Sequence, residues 1–111
     1  MSKTIDLLAE AAVTIAQAGA VDYLNRNKLK ANPEALKECL KSWINLKLPE
    51  ALHDAKEAFE CGMTQIGVTT FKASMLSAGI EAAKEAGMPA LPDYARERLQ
   101  AKVREIFTAQ Q

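Results

Sequence analysis

One histidine and two cysteines are the whole supply of the side chains on which most metal and nucleophilic sites draw. Cys39 and Cys61 stand 22 positions apart with no CxxC pair. That excludes a zinc-ribbon pattern and a disulfide framework, and it predicts two free, buried thiols. Six residues are aromatic, and β-branched residues are sparse outside Ile66–Thr70, which leaves little material for sheet. Neither sign of charge dominates, with 14 basic and 14 acidic side chains, so whole-molecule electrostatics gives no attraction to nucleic acid or to an anionic membrane. The longest runs without a charge, 11–21 and 61–71, fall short of the ~20 residues that a membrane helix needs. Asp6 and Glu10 interrupt the place where a signal peptide's apolar stretch would lie, although Ala16-Gln17-Ala18 resembles a cleavage site. A cytoplasmic location is the resulting expectation. No glycine-rich phosphate loop and no nucleophile elbow is present.

What the sequence does hold is helix. Alanine, the best helix former, occurs 20 times in 111 residues, enough chain for a single domain over 1–111. Ile5, Leu8, Ala12, Ile15 and Gly19 recur at steps of three and four, a helical stripe from about Ser2 to Asn25. Much of this helix is small (Ala9, Ala12, Ala16, Gly19, Ala20), which lets another helix backbone approach closely. A basic loop follows from Asn25 to Ala31. Asn32-Pro33-Glu34 supplies an N-cap, an N1 proline and an acid at the positive end of a dipole. The second helix places Leu36, Cys39, Leu40, Trp43 and Ile44 on one face, and Pro49 is expected to end it.

Pro49 also suits N1 of a third helix, with Leu52, Ala55, Ala58 and Phe59 inward and Gly62 as its C′ residue. After a stretch of low helix propensity, a fourth helix runs from about Thr70 to Ala86. Its inward residues are Phe71, Met75, Leu76, Ile80 and Ala83, and Gly87 and Pro89 close it in a Schellman-type end. Met88–Pro92 reads as a linker. Asp93 caps a fifth helix carrying Ala95, Leu99, Val103, Ile106 and Phe107 on one face, and the tail from Thr108 should fray. The expectation is an all-α, compact bundle of about five helices without sheet.

Five constellations bear on chemistry. Glu50-x-x-His53 has the spacing of a di-iron helix, but the chain holds a single copy, so no metal or cofactor is expected. Cys61 follows Glu57 and Glu60 at the negative end of a helix, which disfavours a thiolate, and nothing in sequence orients His53. No catalytic residue is assigned, and the chain is not expected to be an enzyme.

The segment from Ala58 to Phe71 resembles the centre of a helix-turn-helix through Ala58, Gly62, Met63, Thr64, Val68 and Phe71. That resemblance implies a recognition helix in which Gln65, Thr69 and Lys72 face a major groove. It would make the stretch around 54–73 the core of a DNA-binding transcriptional regulator. Gly67, a single cation and an acidic preceding helix oppose it. Asp22–Lys47 carries six cations against three anions, with Tyr23 and Trp43 nearby, whereas Leu48–Gly62 carries one cation against four anions. That asymmetry suits electrostatic pairing with a partner. Finally, Ala78, Gly79, Ala82 and Ala83, with Met63, Met75 and Met88, form a small-residue and methionine surface.

These readings favour a non-catalytic regulatory or adaptor protein that binds another protein through apolar helix faces. Five helices cut from so short a chain should leave an apolar stripe uncovered, so a homodimer is expected. Ile5, Leu8, Ala12 and Ile15 are the expected partner-binding residues on the first helix. Trp43 is the candidate on the second if its ring is exposed. Nucleic acid is the competing partner, and a membrane is not expected.

Overall fold

The computed structural model describes residues 2–89 and 93–109, with side chains for 3–88, 98 and 101–108. Four helices and one short ribbon follow in the order α1 (Ser2–Arg26), β1 (Leu29–Ala31), α2 (Pro33–Glu60), α3 (Thr64–Ala86), β2 (Gly87–Pro89) and α4 (Asp93–Ala109). The all-α class holds. The compact five-helix bundle does not: the described residues form four helices, and the molecule is elongated at 72 × 23 × 16 Å.

Two predicted helices merge because α2 runs straight through Pro49. Proline removes the amide that would bond the Asn45 carbonyl and crowds the preceding turn, at a cost of about 3 kcal/mol. Pro49 and Asn45 both face solvent, so water can satisfy that carbonyl. Leu40 and Ile44 before the proline, and Ala51, Ala55 and Phe59 after it, are buried on one continuous face. Burial along that face outweighs the local break. The same override extends α3 back to Thr64, through the β-branched run and Gly67, where the sequence predicts a helix only from Thr70.

The caps separate the readings that hold from those that fail. Asn32 Oδ1 accepts from the amides of Glu34 and Ala35 at 2.8 and 3.4 Å, as its position before Pro33 predicts. Gly62 adopts φ +77°, the Gly62 amide donates to the Phe59 carbonyl and the Met63 amide to that of Ala58. Those two bonds are the Schellman pair. The Schellman end expected at Gly87 is absent. Gly87 is extended (φ −71°, ψ 138°) and opens β2. The ribbon is likewise a departure from the sheet-free expectation: Leu29, Lys30 and Ala31 pair antiparallel with Pro89, Met88 and Gly87. Of the linker 88–92, residues 90–92 lie outside the described residues, as do Gln110 and Gln111 of the tail and the side chains of Asp93, Ala95 and Leu99.

α3 is the central helix. Its contacts with α2 run Phe59 to Gly67, Lys47 to Ser77 and Trp43 to Glu85, so the two helices lie antiparallel along their length. Its contacts with α1 run Ala16 to Gly79 and Leu24 to Gly87, a parallel alignment. Both α1 and α2 therefore lie on α3, and they meet each other less closely. Leu8, Ala12, Ala16, Ala20 and Leu24 of α1 close the core against Phe71, Met75, Ala78, Ala82 and Ala83 of α3. At Gly79 a Cβ would collide with the Ala16 carbonyl oxygen. Here glycine is required by lack of space.

Candidate interaction surface

α4 is the anomaly of the fold. Its described side chains, those of Arg98 and residues 101–108, are all exposed. At 1.5 Å per residue, α2 accounts for about 42 Å of the long axis and α4 for about 25 Å. Together they nearly fill the 72 Å extent, so α4 projects beyond the body along its axis. Val103, Ile106 and Phe107, at i, i+3 and i+4, share one face and are 44%, 56% and 65% exposed. Lys102 and Arg104 flank them.

The second feature is a groove of about 610 Å³ between α1 and α2, on the side away from α3. Val13 and Val21 form its α1 wall, Leu36 and Leu40 its α2 wall, and Ile44 its lower end. Val13 and Val21 are each about half exposed. Gln17, Lys37, Lys41 and Asn45 also line it, all exposed. Small-molecule sites converge a few polar groups on the ligand. Here the lining surface is mostly apolar, and Gln17, between Val13 and Val21, is the polar side chain on the α1 wall.

The residues singled out from sequence are distributed differently. Leu8 and Ala12 are buried on α3 within the single chain, and Ile5 and Ile15 are half-buried beside them. The small stripe of α1 meets the small stripe of α3, and a Cβ on Gly19 would stand 2.9 Å from the Leu76 carbonyl oxygen. Ala78, Gly79, Ala82, Ala83 and Met75 belong to this same internal contact, whereas Met63 and Met88 are exposed. Leu76, expected inward, is partly exposed. By length and mean hydropathy (1.3), Lys3–Arg26 is also long and apolar enough to cross a bilayer. The uncharged run alone did not disclose this.

Trp43 is half-buried and does not meet Leu52 and Phe59 as a two-helix hairpin would require. On a continuous α2 those residues lie about 13 and 24 Å further along the axis. Its indole instead reaches α3, donating from Nε1 to Glu85 Oε2 at 2.8 Å. Lys47 Nζ sits 6.0 Å from the Trp43 ring and donates to Ser77 Oγ at 3.1 Å. Glu85 also bears on Cys39, whose thiol is held above its ordinary pKa by burial, then by the charge and hydrogen bond of Glu85, then by Glu38. Cys39 is half-buried. Cys61, expected buried, is exposed because it forms the C-cap of α2.

His53 lies 3.6 Å from Asp54 and 3.7 Å from Glu57, and all three are exposed on one turn of α2. Glu50, which shares the Glu-x-x-His spacing with His53, is outside this group. The basic stretch disperses: Arg26 pairs with Asp22 at 3.0 Å, and Lys47 is engaged with Trp43 and Ser77. Gln65, Thr69 and Lys72 are exposed on the first turns of α3.

Helical periodicity alone did not mark the groove. Its signal was present in Val13, Gln17 and Val21, spaced by four along α1. The α4 stripe was read, but its lack of a covering helix was not. Compared with protein-family models, curated proteins and solved structures, the chain matches none.

Proposed function

We propose that this chain is a non-catalytic protein-interaction module, an adaptor or regulator that works through the apolar face of α4. The observation that carries the reading is the Val103–Ile106–Phe107 face, exposed on a helix whose described side chains are all exposed. A helix of 17 residues is only marginally stable alone in water, so it gains from docking. Anchors at i, i+3 and i+4 are the pattern by which an amphipathic helix seats in a partner's groove. A DNA-binding reading draws support from Gln65, Thr69 and Lys72, which share an exposed face. The side-by-side course of α2 and α3 weighs against it, since a recognition helix crosses its partner at a steep angle.

The test is capture from nuclease-treated native lysate by the immobilised chain, beside the double variant Ile106→Asp and Phe107→Asp. The expected result is captured protein that is lost with the variant while circular dichroism stays helical. Capture that ignores both substitutions overturns the assignment to α4.

A further inference from the structure

The groove between α1 and α2 has the size and lining of a site for one kind of small molecule. We propose that it binds a free single-chain fatty carboxylate. The hydrocarbon chain lies on the apolar floor, and Lys37 and Lys41 hold the carboxylate. The site is separate from α4 and goes beyond the role assigned to that helix.

Size excludes a bulkier occupant. The groove holds about 610 Å³, inside the range of about 300–1,000 Å³ typical of small-molecule sites. Val13 and Val21 on α1 lie eight positions apart, as do Leu36 and Ile44 on α2. Each wall is therefore about 12 Å long. A partner helix of three or four turns runs about 16–22 Å and would overhang it. With C–C bonds of about 1.5 Å in an extended zigzag, a chain of about ten carbons covers the length.

The lining selects a hydrocarbon. A peptide strand laid in the groove would bring an amide and a carbonyl with every residue, and each buried one needs a partner. Gln17 and Asn45 are the only uncharged polar side chains lining the groove, too few for that purpose. A hydrocarbon chain needs no such partner, and each methylene that leaves water favours binding. A molecule whose polar atoms all sit at one end suits a lining that is mostly apolar.

The charge selects the other end. Lys37 and Lys41 are the only charged residues that line the groove. They stand one turn apart on α2, both exposed, and neither is in an ion pair among the described residues. Their stems can cover apolar surface while the ammonium groups stay in water at the edge. An anion between them meets two cations. Phosphate sites are built from arginine forks or from open amides at a helix N-terminus. No arginine lines the groove, and the Glu34 and Ala35 amides at the start of α2 already donate to Asn32 Oδ1. Two lysine point charges suit a small, singly charged carboxylate.

Decanoate, kept below its micelle-forming concentration, is the probe, and isothermal titration calorimetry on the full chain is the measurement. One saturable site per chain is expected, with a melting temperature that rises with decanoate concentration. In heteronuclear NMR spectra the amides around Gln17 and Leu40 should shift, and those of α4 should not. Lys37→Gln with Lys41→Gln should weaken decanoate about tenfold and leave the binding of uncharged decanol unchanged. Val13→Asp, at a half-exposed position, should abolish binding of both by setting a charge against the chain. Circular dichroism checks that the variants stay helical. If Val13→Asp loses helix, Val21→Asp on the same wall takes its place.

The absence of a saturable site overturns the proposal. So do shifts confined to α4, a decanoate affinity that ignores the two lysines, or equal affinity of the parent chain for decanol and decanoate. A protein captured from lysate by the parent chain and lost with Val13→Asp, with no heat from decanoate, gives the groove a different occupant and overturns it as well.

Discussion

Gly79 of α3 lies directly against the Ala16 carbonyl of α1, and a Cβ on it would also stand 3.0 Å from the Ala20 amide nitrogen. The obstacles are backbone atoms, which cannot rotate aside. At an open helical site, replacing glycine by alanine stabilises by roughly 1 kcal/mol. Here Gly79→Ala should instead destabilise by about 1–3 kcal/mol, because α1 and α3 must separate. A urea titration followed by circular dichroism reads the sign directly. A higher midpoint would mean that the two helices do not touch at this crossing.

Pro49 gives the opposite sign. Inside a continuous α2 it costs a hydrogen bond and crowds the preceding turn, and its ring faces solvent. Pro49→Ala should stabilise the fold by up to about 3 kcal/mol. Were Pro49 the first residue of a separate helix, the same change would be neutral or harmful, since proline is favoured there. Thermal melts of the two proteins distinguish these outcomes.

Pro49 and Gly79 also mark where the sequence was legible. Local chemistry was readable: the Asn32 cap and the Gly62 turn follow from residue types at fixed offsets. Helical faces were readable from the spacing of apolar residues. The continuity of α2 was not, because Pro49 is a strong local stop and only the buried face shared by Ile44 and Ala51 overrules it. The small stripe of α1 was readable as a close-approach surface, but its partner was not. Whether Ala12 and Gly19 meet another chain or this chain's own α3 depends on tertiary placement. The ribbon was hidden for the same reason, since three-residue strands carry no period and Gly87 pairs with a segment 56 positions away.

The two thiols should react unequally. Cys61 is exposed at the end of α2. Cys39 is half-buried, and burial, Glu85 and Glu38 all raise its pKa, so less thiolate is present at a given pH. Iodoacetamide near pH 8 with peptide mapping should label Cys61 first. In a Cys61→Ser background, Glu85→Gln should speed labelling of Cys39 by removing a charge and a carboxylate acceptor. The linkage has a definite sign. A thiol whose folded pKa is raised contributes stability below its unfolded pKa of about 8.5, and that contribution is lost as pH rises through the folded value. Stability should therefore fall on the alkaline side, and less so in Glu85→Gln. Equal labelling rates for Cys39 with and without Glu85 would remove the carboxylate from this account.

DNA provides the last test. Gln65, Thr69 and Lys72 share an exposed face of α3, as a recognition helix would require. Three features oppose binding. α2 and α3 run antiparallel from Phe59 and Gly67 to Trp43 and Glu85, which leaves no steep crossing to present one helix to a groove. Lys72 is the only cation on the first half of α3. The neighbouring end of α2 carries Glu57 and Glu60, both exposed, which repel phosphates. Affinity for duplex DNA depends on the number of phosphates neutralised, and one cation beside two acids releases few counterions. No retardation is expected in an electrophoretic shift assay at low salt, where even non-specific binding is strong. The double variant Gln65→Ala and Lys72→Ala should behave as the parent chain does, with its melting temperature nearly unchanged. A shift by the parent chain that disappears in this variant would place the working surface on α3 and return the helix-turn-helix reading to first position.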